Sequence, residues 1–84
     1  MISVEKLGAR IAILRKRQGM TQNQVADRLG VTPQAVSKWE RGLACPDLTC
    51  LDELSDLLGT TIDGLLRGAA YNVMMVSEYG SIAL

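Results

Sequence analysis

Apolar residues Val4, Leu7, Ile11 and Leu14 recur at intervals of three and four, the spacing that lines one face of an α-helix. This predicts a first helix reaching about Arg17 and stopped by Gln18-Gly19. Thr21 follows as an N-cap with Gln24 three residues on, the pair of a capping box, in which each side chain accepts a free backbone N–H at the helix start. A second helix over about residues 22–29 then turns Val25, Ala26 and Leu29 inward, with Gly30 as a left-handed cap. The pattern repeats after Val31. Thr32 is an N-cap candidate, and Pro33 suits the first helical position, where its missing N–H costs nothing and its fixed φ is already helical. That third helix runs to about Arg41 with Val36 and Trp39 inward, and Gly42 ends it.

Pro46-Asp47 opens a fourth helix, in which Leu48, Leu51, Leu54, Leu57 and Leu58 form a broad apolar stripe while Asp52, Glu53 and Asp56 face water. Gly59 stops it. Thr61 caps a short fifth helix carrying Ile62, Leu65 and Leu66, with Asp63 in the first turn, where negative charge is favoured, and Gly68 at its end. Only Gly30 to Thr32 turn the chain between helices two and three, which makes that pair a helix-turn-helix.

The remaining residues, 69–84, read "AAYNVMMVSEYGSIAL". Tyr71, Val73, Met75 and Tyr79 fit alternate positions of a strand, while Tyr71, Met74, Met75 and Ile82 fit a helical stripe equally well. The stretch is too apolar for a simple disordered tail, so it is expected to pack on the domain or on a partner. The expected organisation is a domain over residues 1–68 followed by an apolar extension over 69–84, a dimerisation or docking segment.

An 84-residue chain has room for one compact domain, burying a little over ~60% of its unfolded surface. With no Phe, one Trp and two Tyr, its core must be aliphatic. No apolar run approaches the ~18 residues of a membrane span and the first residues lack a signal-peptide pattern, so a cytoplasmic protein is expected. Cys45 and Cys50 stand alone without any histidine, which points to reduced thiols, no metal and no cofactor. The net charge is zero, but the average hides a segregation. Residues 1–44 hold Lys6, Arg10, Arg15, Lys16, Arg17, Arg28, Lys38 and Arg41 against Glu5, Asp27 and Glu40. Residues 45–84 hold Arg67 against Asp47, Asp52, Glu53, Asp56, Asp63 and Glu78. A basic half beside an acidic half suits a protein with one anion-facing surface.

The stretch "ILRKRQGMTQNQVADRLGVTPQAVSKWERGLACPDLTCLDELSDLLGTTIDGLL" resembles the helix-turn-helix domain of the Cro and phage-repressor (Xre) family, over residues 5–66. It joins the elements L-R-x-x-Q-G-x-T-Q, A-x-x-L-G-V, V-S-K-W-E-R-G and P-x-L at the family's spacings. The resemblance implies an all-α, five-helix, lambda-repressor-like DNA-binding domain, with helix two across the DNA backbone and helix three in the major groove. The implied function is sequence-specific double-stranded DNA binding as a transcriptional regulator, foremost a repressor.

Chemistry supports those roles. A helix fits the ~12 Å major groove, where its N-terminal residues meet base edges first. The outward positions of helix three are Pro33, Gln34, Ser37, Lys38 and Arg41. Gln34 can pair with adenine N6 and N7, Lys38 can donate to guanine O6 and N7, and Ser37 can serve a base or a phosphate. Pro33 belongs to this base-facing set but stands where family members often carry a polar reader. Thr32, Arg41, Lys16 and Arg17 are candidate phosphate contacts. Gln22 matches a glutamine that in the family binds a phosphate and buttresses the reading helix. Arg15 and Glu40 match a pair that bridges helices one and three. Gly64 replaces the family's usual acidic residue, at a cost of up to ~1 kcal/mol relative to alanine, so helix five is expected to need support.

No enzyme is expected: there is no His, no phosphate-cradling glycine loop and no nucleophile elbow, and Asp52 with Asp56 reads as the wet side of a helix. An alternative is a protein-interaction module, such as an antitoxin, that uses the acidic half and the extension. One small module makes an interface of only ~600–1,000 Å² on DNA, so specificity calls for two copies. A homodimer on an inverted repeat is expected, with half-sites ~34 Å apart and Leu65, Leu66, Tyr71, Val73, Met75 and Tyr79 at its interface.

Overall fold

The computed structural model describes residues 1–68, and these form five α-helices. They are α1 (Val4–Arg17), α2 (Gln22–Leu29), α3 (Pro33–Glu40), α4 (Leu48–Leu57) and α5 (Ile62–Arg67). There is no strand among the described residues. Tyr71, Val73, Met75 and Tyr79, and the choice between strand and helix for the extension, lie outside them.

Each helix begins at a side chain that accepts one of its free N–H groups: Ser3, Thr21, Thr32, Asp47 and Thr61 in order. At α2 the capping box is complete, with Gln24 N–H donating to Thr21 Oγ1 at 3.0 Å and Thr21 N–H to Gln24 Oε1 at 2.8 Å. Gly30 ends α2 in the left-handed region at φ 70°, and Val31 N–H returns to the Ala26 carbonyl at 3.0 Å.

The core is aliphatic around one indole: Leu7, Ile11, Leu14, Val25, Ala26, Val36, Trp39, Leu51, Leu54, Leu58 and Leu65 are all buried. α3 packs on α1 and α2, and α5 packs on α1 and α4. Among the described glycines the tightest approach is at Gly8, where an added Cβ would lie 2.1 Å from the Trp39 carbonyl oxygen. Glycine at this position lets the α1 backbone touch the end of α3.

Two positions of the expected apolar faces turn out differently. Leu48 is 73% exposed, because it sits in the first turn of α4 on the flank of the stripe and no described element covers it. Val4 lies at the rim, 37% exposed, at the first turn of α1. α5 has the support that its glycine requires. Gly64 is buried and its N–H donates to Thr61 Oγ1 at 2.9 Å, while Arg10 Nη1 donates to the carbonyls of Leu65 and Leu66 at 2.9 and 3.0 Å.

Candidate nucleic-acid interface

α3 offers an outer face because Val36 and Trp39 fix its inner one. Gln34, Ser37, Lys38 and Arg41 follow at i, i+3, i+4 and i+7, a single stripe on the helix surface. Gln34, Lys38 and Arg41 are exposed, and Pro33 and Ser37 are half-buried. Arg41 lies back along the helix, with Nε 3.4 Å from the Ser37 carbonyl. Thr32 accepts the Ala35 N–H at 3.2 Å as the cap, which leaves its hydroxyl proton free to donate outward.

Behind this face a polar network ties three helices together. Arg15 on α1 donates from Nε and Nη2 to the two carboxylate oxygens of Glu40 on α3, at 2.6 and 3.0 Å. Arg15 Nη1 also donates to the Met20 carbonyl in the α1–α2 turn, at 2.9 Å. Gln22, first residue of α2, donates from Nε2 to Glu40 Oε1 at 2.9 Å. The side chains of Arg15 and Glu40 are 12% and 7% exposed, so the ion pair is shielded from water on both sides. The hydrogen bonds to Glu40 raise the Arg15 pKa above its ordinary value, with burial opposing and the Glu40 charge adding to the rise. The pairing therefore favours the charged guanidinium.

The charge segregation becomes an arrangement in space. Arg10 and Arg15 turn inward, to helix-end carbonyls and to Glu40. Lys6, Lys16, Arg17, Arg28, Lys38 and Arg41 are exposed and supply the outward positive charge of residues 1–44. The inward role of Arg10 carried no sequence signal, since its partners stand 55 and 56 residues away. The Gln22–Glu40 bond was visible only as the buttress implied by resemblance, without its acceptor.

Leu65, expected at a dimer interface, is fully buried in the core, and Leu66 is half-buried against it. Leu65 is thus committed to holding α5 on the body of the domain and is not available to a second chain. Cys45 is exposed and Cys50 half-buried, both free thiols. Burial pushes the Cys50 thiol pKa up, helped by the hydrogen bond and charge of Asp47 and by the Glu53 charge. Among the described residues no group of three His, Cys, Asp or Glu could hold a metal ion, and no helix is long and apolar enough to cross a membrane. A shallow groove of about 500 Å³, lined by Gln18, Met20, Gln24, Asp27, Arg28 and Leu57, includes none of the outer residues of α3.

Five capped helices, a glycine turn between α2 and α3, and an α3 with a polar outer stripe define a small helix-turn-helix domain. A helix-turn-helix family profile, HTH_3, matches residues 11–65, and the chain belongs to this family. Over 61 residues it is 44% identical to the SPbeta prophage-derived uncharacterized HTH-type transcriptional regulator YonR of Bacillus subtilis (strain 168), covering 73% of this chain and 56% of that one. The chain spans about half the length of most of the curated relatives it matches. Among solved structures, the P22 c2 repressor in complex with a synthetic operator aligns with a TM-score of 0.71 and 35% identity, over 74% of this chain and 94% of that chain. The hydroxypropylphosphonic acid epoxidase of S. wedmorenis aligns with a TM-score of 0.71 and 29% identity, over 81% of this chain but only 36% of its own.

Proposed function

We propose that the chain binds double-stranded DNA in a sequence-specific way and acts as a transcriptional regulator of the repressor type, with α3 in the major groove. The observation that carries this reading is the outer stripe of α3, set on a hydrogen-bonded three-helix support, in a fold shared with a repressor crystallised with a synthetic operator. In this reading Gln34 and Lys38 are the principal base readers, Ser37 serves a base or a phosphate, and Pro33 contacts the groove through its ring. Gln22, Thr32, Arg41, Lys16 and Arg17 bind phosphates. Arg15 and Glu40 are structural. The exposed cations supply the salt-dependent share of the affinity.

The domain is taken to end at Gly68, and two copies bind an inverted repeat, because a single module of this size buries too little surface for useful specificity. Leu66 and the extension, with Tyr71, Val73, Met75 and Tyr79, remain the candidate dimer contacts, without Leu65. The chain is read as a binding protein and not an enzyme. The epoxidase likeness involves about a third of a longer chain, so the shared helical fold carries no argument for catalysis here.

Selection from a random duplex pool tests the proposal. Wild-type protein is expected to enrich a palindrome, and a folded Gln34→Ala, Lys38→Ala variant to lose the preference while keeping its non-specific affinity. Failure of the wild type to enrich any sequence would overturn the reading.

A further inference from the structure

We infer that Glu40 is a positioning residue for a phosphate contact made by Gln22, in addition to being one half of an ion pair. This rests on the DNA-binding reading and adds to it an assignment of which atom of Gln22 faces the phosphate and what holds it there.

The inference starts from what a carboxylate can do. Glu40 only accepts hydrogen bonds, so the Gln22 amide facing it must present nitrogen, and the 2.9 Å contact to Oε1 is an N–H donation. One of the two hydrogens on Nε2 is thereby committed. The second hydrogen leaves the same nitrogen at a fixed angle, because the amide is planar and its rotation about χ3 is now set. Without Glu40 the amide could flip by half a turn and offer its carbonyl oxygen instead. A phosphate, which carries only acceptors, would repel that oxygen.

Three further facts fit this role. Gln22 is the first residue of α2, so its side chain lies beside the free N–H groups of the helix start, where anions are favoured. Its side chain is half-buried against the support and not waving in solvent. The negative charge of Glu40, which alone would oppose a nearby phosphate, is matched by the two-pronged contact from Arg15 at 2.6 and 3.0 Å. The ion pair therefore supplies an acceptor without presenting a net charge to the DNA.

The test separates orientation from stability. Replacing a buried ion pair by apolar residues often leaves stability intact, whereas removing one partner does not. Two uncharged double variants are compared, Arg15→Met with Glu40→Leu and Arg15→Met with Glu40→Gln, which differ in whether position 40 keeps an acceptor oxygen. Each is measured, after a check of folding by circular dichroism, on the duplex selected by the wild type and on copies with one phosphate replaced by a neutral methylphosphonate. Gln22→Ala first identifies the linkage at which the wild-type penalty depends on Gln22, expected to be about tenfold in Kd for a hydrogen bond to a charged group. The penalty at that linkage should vanish in the leucine variant and persist in the glutamine variant, with the other linkages unaffected. Should the leucine variant keep the wild-type penalty, or the glutamine variant lose it, Glu40 does not orient Gln22. If Gln22→Ala changes no linkage while the duplex is still bound, the proposal falls at the phosphate contact itself, and the wider DNA-binding reading stands.

Discussion

Arg10 of α1 donates from a single nitrogen, Nη1, to the carbonyls of both Leu65 and Leu66, so a cation near the start of the chain closes the end of its last helix. The final carbonyls of a six-residue helix have no intrahelical partner, and a guanidinium satisfies them while matching the negative end of the helix dipole. Gly68 completes the arrangement: at φ 72°, an added Cβ would come within 2.7 Å of Arg10 Nε.

Arg10→Met should therefore lower stability by about 1.5–3 kcal/mol, the range for hydrogen bonds involving a charged group, and leave the DNA affinity of the folded protein unchanged. Urea denaturation followed by circular dichroism, with binding measured well below the transition, checks both halves. A large loss of affinity without loss of stability would place Arg10 on the DNA instead.

Gly8→Ala is expected to be among the most damaging single-methyl additions in the molecule. The new Cβ would meet the Trp39 carbonyl at 2.1 Å and the Glu40 carbonyl at 3.0 Å, both backbone atoms, so α3 itself must move away from α1. Overpacking of this kind costs about 1–3 kcal/mol or more, beyond the ~1 kcal/mol that alanine gains from its helix propensity. Because α3 carries the outer stripe, a folded Gly8→Ala protein should also bind DNA more weakly. Thermal melts showing an unchanged or raised Tm would contradict the packing argument.

Most of the architecture is legible in the sequence because it depends on neighbours along the chain. Thr21 with Gln24, Thr32 with Pro33, and the glycines that stop α2 and α5 are local chemistry, and the observed caps follow from it. Periodicity shows which side of a helix is apolar but not whether anything covers each position, which is why Leu48 belongs to the expected stripe and yet lies exposed. It also fails at Leu65, whose apolar character fits a core and an interface equally well. Long-range polar partners are the least visible. Arg10 reads as one more member of a basic half, and Gly8, inside the first helix, carries no signal of its own. Their meaning comes from carbonyls on α5 and α3 that no local pattern announces.

The two thiols should differ in reactivity although they stand five positions apart. Cys45 is exposed, whereas Cys50 is half-buried with its pKa raised by burial first and by Asp47 second. A raised pKa lowers the thiolate fraction at any pH below it, and the thiolate is the nucleophile. Iodoacetamide at mildly alkaline pH, read by mass spectrometry over time, should label Cys45 first and Cys50 only slowly, the difference disappearing in denaturant. Equal rates in the folded protein would show that the start of α4 is open.

Salt dependence distinguishes the readers from the phosphate contacts. Each phosphate neutralised by a cation adds about −0.9 to the slope of log K against log salt, whereas removing a base-reading side chain such as Lys38 changes which sequence is preferred, by about 1–3 kcal/mol at one position. Lys16→Ala and Arg17→Ala should each make the slope shallower by roughly one and weaken all duplexes alike. Lys38→Ala, whose native side chain projects from the exposed stripe of α3, should instead relax the preference at a single base pair, with a smaller effect on non-specific binding. Fluorescence anisotropy titrations on the selected duplex and on a scrambled one, across a series of salt concentrations, give both quantities at once. If Lys38→Ala weakens both duplexes equally while Arg17→Ala changes base preference, the assignment of α3 to the bases and of the end of α1 to the backbone is reversed, and the domain must dock in a different orientation.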